Sequence, residues 1–86
     1  MPYYVYTLLS LKDNKFYTGF TTNLKNRMAN HRRGEVLSTA NRRPLKLLHA
    51  ELFMNENDAR AREVFLKSGF GRDNLRKSLR NTLLEL

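Results

Sequence analysis

Two aromatic and β-branched segments near the N-terminus constrain this chain more than any other feature. Residues 3–10, Tyr-Tyr-Val-Tyr-Thr-Leu-Leu-Ser, and residues 16–20, Phe-Tyr-Thr-Gly-Phe, flank Lys12-Asp13-Asn14-Lys15. Ring-bearing and β-branched side chains fit a pleated surface, and neither segment contains proline. Asp13 and Asn14 tolerate the left-handed backbone of a tight turn. The pair therefore reads as a β-hairpin. Alternation along the first strand puts Tyr4, Tyr6 and Leu8 on one face and Val5, Thr7 and Leu9 on the other. Both faces are largely apolar, so this strand is expected at the centre of a sheet covered on both sides. Gly19 inside the second strand marks a bulge or a close approach to the backbone.

Thr21-Thr22-Asn23 then supplies capping residues for a helix running to about Arg33 and stopped by Gly34. Its inward stripe at helical spacing is Leu24, Arg27, Met28 and His31. A helix that only packs would place apolar residues at all four positions. This one aims a guanidinium and an imidazole at the sheet that carries the tyrosines. A basic loop over residues 35–44 leads to a third strand, Leu45 to Phe53. Asn55 caps a second helix, ended by Gly69, whose stripe is Ala59, Arg62, Glu63 and Leu66. Again an ionisable residue, Glu63, falls among apolar ones. Gly71-Arg72-Asp73 opens a last helix with Leu75, Leu79, Leu83 and Leu86 on one side. The expected fold is α+β: a three-stranded antiparallel sheet flanked by three helices, in the order β-β-α-β-α-α.

At 86 residues the chain is expected to form one domain, residues 1–86, burying roughly 60–65% of its unfolded surface. Sixteen Lys and Arg against eight Asp and Glu give a net charge of +8, which points to a polyanionic partner. The chain has no cysteine. That excludes disulfides, a thiolate nucleophile and cysteine-based metal centres, and it fits a reducing, cytoplasmic location. No apolar run approaches the ~20 residues that cross a bilayer, and no signal peptide is seen. P-loop, Rossmann-glycine, zinc-ligand and Ser/His/Asp patterns are lacking too.

Taken together, Tyr4-Val5-Tyr6, Tyr17-Thr18-Gly19, the helix Asn23 to His31, the turn Arg42-Arg43-Pro44 and the helix Ala59 to Lys67 resemble the small stand-alone branch of the GIY-YIG nuclease superfamily. The resemblance covers nearly the whole chain. Neither tripeptide is literal, but both functional tyrosines, Tyr6 and Tyr17, are kept. The resemblance implies hydrolysis of a nucleic-acid phosphodiester, DNA foremost, with one divalent ion, Mg²⁺ or Mn²⁺. It implies that Glu63 is the metal ligand and that Tyr6, Tyr17, Arg27 and His31 are catalytic.

The chemistry of these residue types agrees with that assignment. A hard carboxylate oxygen suits Mg²⁺, which commonly takes one or two protein carboxylates and completes its shell with water and phosphate. The planar guanidinium of Arg27 matches phosphate oxygens. His31 can relay a proton near neutral pH. The general base lies among Tyr6, Tyr17 and His31. Arg32, Arg33, Arg42, Arg43 and Arg72 are expected on phosphates, where they give salt-dependent affinity without reading sequence. Each assignment has a plainer counterpart: Glu63 as a surface glutamate paired with Lys67 at i+4, and the tyrosines as core aromatics with a wet tip. A nucleic-acid-binding module with little or no catalysis is the alternative function.

Overall fold

The computed structural model describes residues 2–86. Its elements are β1 (Tyr3–Ser10), β2 (Phe16–Thr21), α1 (Leu24–Arg32), α2 (Leu37–Ala40), β3 (Leu45–Phe53), α3 (Glu56–Lys67), α4 (Gly69–Ser78) and α5 (Arg80–Leu84). The strands form one antiparallel sheet in the order β2-β1-β3. β1 is central, as its two apolar faces require. The hairpin turns at Asn14, whose φ of 59° is the left-handed geometry expected of an Asx residue.

The two faces of β1 serve different purposes. Val5 and Leu9 join Phe16, Ala59, Leu66 and Leu75 in the main apolar core, so α3 and α4 cover that face. Tyr6 and Leu8 look the other way, toward α1. The register places Tyr6 opposite Gly19 on β2 and opposite Ala50 on β3. A bulge in β3 between the partners of Thr7 and Leu8 sets Leu48 against the core and pairs His49 with Thr7. His49 is a packing and hydrogen-bonding residue: Nδ1 meets Thr7 Oγ1 at 3.2 Å and Nε2 meets Glu51 Oε1 at 2.8 Å.

Helix starts follow the capping residues. Asn23 Oδ1 accepts from Asn26 N at 3.0 Å, and Asn55 Oδ1 from Asn57 N at 2.8 Å. Gly34, with φ of 77°, takes the chain out of α1.

Among the described residues there are five helices rather than three. The segment expected to be a loop contains the one-turn helix α2. The helix expected to continue to Leu86 breaks at Leu79, which leaves helical geometry (φ −102°, ψ 15°) while its side chain packs against the core. Gly69 opens α4 instead of ending a helix in a loop. Ser68, extended at ψ 158°, caps α4 by accepting from Gly71 N through Oγ at 3.0 Å. Among the described residues no helix is long and apolar enough to cross a membrane.

Candidate nuclease site

The site is assembled on the Tyr6 face of the sheet. β1 supplies Tyr6, β2 supplies Tyr17 and Gly19, and α1 lays Arg27 and His31 across them. Tyr6 is wholly buried and His31 is 2% exposed. The Tyr6 hydroxyl lies 2.7 Å from His31 Nε2 and accepts from Arg27 Nε at 3.3 Å. Tyr17 packs its ring edge-on to His31 at 5.3 Å between centroids, and the Tyr6 ring does the same at 5.5 Å. Gly19 explains how Tyr6 fits. A β-carbon there would run into the Tyr6 hydroxyl and ring, so the close backbone approach expected at Gly19 is made by the tyrosine itself.

Burial sets the protonation states. Desolvation pushes the Tyr6 phenol up to about 12 even though the hydrogen bond from Arg27 pulls the other way. Desolvation, with the adjacent Arg27 charge, lowers His31 to about 4. At neutral pH both are uncharged. The Arg27 guanidinium is held more firmly in its charged form, chiefly by its hydrogen bond to Tyr6.

Glu63 comes from α3, in the opposite layer, yet its charge lies close enough to contribute to the rise at Tyr6. Its side chain is 17% exposed and pairs with Lys67 Nζ at 3.1 Å. The i, i+4 pair of an ordinary helix surface is therefore present, with the carboxylate largely withdrawn from solvent. Among the described residues no group of three His, Cys, Asp or Glu side chains converges. A lone carboxylate suits an ion that keeps most of its water, such as Mg²⁺, and does not suit an all-protein cage.

The five arginines expected on phosphates divide. Arg33 is paired with Glu35 at 3.2 Å, and Arg42 with Asp13 at 2.8 Å. The Arg42 hydrogen bond holds the Asp13 carboxyl down at about 2, so this arginine ties the hairpin turn to the segment before β3. Arg43 donates to the carbonyls of Ala40 and Arg32, at 3.0 and 3.2 Å, and has no carboxylate partner among the described residues. Arg32, exposed, has no carboxylate partner among the described residues. Arg72 sits on α4, in the layer away from α1. A pocket of about 860 Å³ beside His31 brings Arg32 and Arg43 together with Lys12, a cation not anticipated from sequence, over Leu8, Met28 and Leu47.

Two further residues were missed, both on α2. Ser38 Oγ donates to the Tyr17 hydroxyl at 3.3 Å. Thr39, wholly buried, places Oγ1 2.7 Å from His31 Nδ1. The only signal in the sequence is a Ser-Thr pair within a basic segment, and such pairs are common in loops.

The fold and this constellation define a class, the GIY-YIG nuclease domains, and the chain belongs to that family: the GIY-YIG catalytic domain matches residues 2–77. Among relatives, it is 40% identical over 67 residues to a UPF0213 protein of Staphylococcus haemolyticus, covering 77% of this chain and 80% of that one. It is 39% identical over 82 residues to a UPF0213 protein of Pediococcus acidilactici, covering 92% and 82%. The solution NMR structure of a UPF0213 protein from Bacillus halodurans has the same fold, with a TM-score of 0.58 at 31% identity over 90% of this chain and 84% of that one.

Proposed function

We propose that this protein is a divalent-metal-dependent endonuclease that hydrolyses phosphodiester bonds of nucleic acid, with DNA the favoured substrate. The observation that carries the reading is the Arg27 guanidinium seated against the buried Tyr6–His31 pair, with Tyr17 packed on the same imidazole. Glu63 is the residue that would hold the ion, Mg²⁺ or Mn²⁺. When bound, such an ion supplies charge neutralisation at the phosphate and a more acidic water. Lys67 must give up the carboxylate for that to happen.

Arg27 and Tyr17 are only partly buried, and they are the groups of this cluster that meet substrate. Arg27 offers its fork to the phosphate and stabilises charge that grows in the transition state. Tyr17 presents a hydroxyl to the water or to a phosphate oxygen. Tyr6 and His31 lie beneath, where the hydrogen bond between phenol and imidazole holds the Tyr6 oxygen in place to orient Arg27. Arg32, Arg43 and Lys12 lead the phosphate backbone past the site, with Arg33, Arg42 and Arg72 further off. Contacts of this kind make binding fall steeply with salt.

The test is a panel of end-labelled single-stranded, duplex and branched DNA and an RNA strand, each with Mg²⁺, Mn²⁺ or EDTA. Internal cuts that need the metal support the reading, and the preferred member names the substrate. The Glu63–Lys67 ion pair favours a second reading, a binding module whose carboxylate serves only the helix. That reading requires binding without cleavage, unchanged by EDTA.

A further inference from the structure

Helix α2 contributes to the site in a way that goes beyond packing. Four donors meet in one line: Arg27 Nε–H, the Tyr6 hydroxyl, one ring N–H of His31 and the Thr39 hydroxyl. Arg27 Nε can only donate. The remaining protons can be arranged in two ways.

In the first, Tyr6 donates to His31 Nε2, His31 Nδ1–H donates to Thr39 Oγ1, and Thr39 donates to the Val36 carbonyl at 3.4 Å. Every donor then has an acceptor, and the Tyr6 oxygen keeps a lone pair for Arg27. In the second, Thr39 donates to His31 Nδ1 and His31 Nε2–H donates to Tyr6. The Tyr6 proton is then left without an acceptor among the described residues, on a side chain with 0% exposure. A buried hydroxyl proton without a partner is the costlier arrangement.

We infer that Thr39 is a positioning residue for catalysis. By accepting the Nδ1 proton and passing its own to Val36, it fixes His31 as the Nδ1–H tautomer, turns the Tyr6 proton inward, and leaves the Tyr6 oxygen to hold Arg27 by Nε. Arg27 is thereby presented to the phosphate by its Nη edge. The relay runs one way, from Arg27 through Tyr6 and His31 to Thr39 and the Val36 carbonyl. The catalytic part of this role rests on the nuclease reading; the tautomer does not.

The test pairs NMR with kinetics. Two-bond ¹H–¹⁵N correlation spectra of the full chain distinguish the two neutral imidazole tautomers. The chain has two histidines, and a His49→Gln variant assigns the signals. Wild type and Thr39→Ser are expected to show Nδ1–H at His31, and Thr39→Val to lose it. In single-turnover cleavage Thr39→Val should fall about 10- to 100-fold in rate, by analogy with loss of the partner that orients a metal-bound histidine. Substrate affinity should stay within about threefold in the same comparison, and Thr39→Ser should recover most of the rate.

An Nε2–H tautomer in wild type overturns the inference, as does a Thr39→Val variant that cuts like wild type. If Thr39→Val does not fold, the wild-type spectrum still decides the tautomer and Thr39→Ala replaces it in kinetics. The expected tautomer in a wild type that cuts no substrate with any metal overturns the catalytic role through failure of the nuclease reading, and the spectra separate that outcome from the others.

Discussion

Gly19 and Tyr6 face each other across the β1–β2 ladder, and the space a β-carbon would take at Gly19 is filled by the Tyr6 hydroxyl and ring. The glycine of the second motif is therefore a steric requirement of the tyrosine in the first. Gly19→Ala should force Tyr6 out of line with His31 and Arg27. Overpacking of this kind costs about 1–3 kcal/mol, readable as a lower Tm. Cleavage should fall further than the loss of stability explains. An alanine variant with native Tm and native rate would refute the relationship.

Arg27→Ala removes a charge preorganised toward the phosphate and should lower the single-turnover rate by roughly 10²-fold or more. Arg27→Lys should recover little of it, since an ammonium cannot donate to Tyr6 and fork onto phosphate together. Full recovery by lysine would reduce Arg27 to a point charge.

Lys67→Met should tighten metal binding, because the Glu63 carboxylate no longer has a competing ammonium at 3.1 Å. A half-exposed pair of this type is worth about 0–1 kcal/mol, so titration calorimetry with Mn²⁺ should show a gain below roughly fivefold. Weaker metal binding in this variant would place Lys67 in support of the ion rather than against it.

Stability should depend on pH through His31. Its folded pKa, about 4, lies below the unfolded 6.5, so between those values the unfolded chain binds the extra proton. His31 therefore contributes stability that is complete above about 6.5 and is lost as pH falls toward 4. The shift corresponds to roughly 3 kcal/mol. Denaturant unfolding of wild type and His31→Gln at pH 7, 5.5 and 4 reads it. The gap between them should shrink as pH falls, and a constant gap would contradict the buried neutral imidazole.

The hairpin, its left-handed turn, the central placement of β1 and both asparagine caps were legible because each rests on local chemistry. The inward aim of Arg27 and His31 was legible from helical spacing, since both side chains meet Tyr6 on the sheet. What escaped was non-local. Nothing in Leu37-Ser-Thr-Ala40 announces a helix, and Thr39 becomes important only because the fold buries it on His31. Arg42 and Arg43 look alike in sequence, yet Asp13 claims the first, while the second keeps its charge beside the pocket. The break at Leu79 follows from packing of its side chain, which no helix-stop residue signals.

The most direct measurement is cleavage of a labelled DNA by wild type and Glu63→Ala, purified side by side, with Mg²⁺ and with EDTA. Binding is followed in parallel by fluorescence anisotropy. Metal-dependent cutting by wild type and its loss in the variant are the expected result, with Kd for DNA and Tm near native. Equal cutting by both proteins would contradict the metal role of Glu63, because it would then not hold the ion on which the proposed reaction depends.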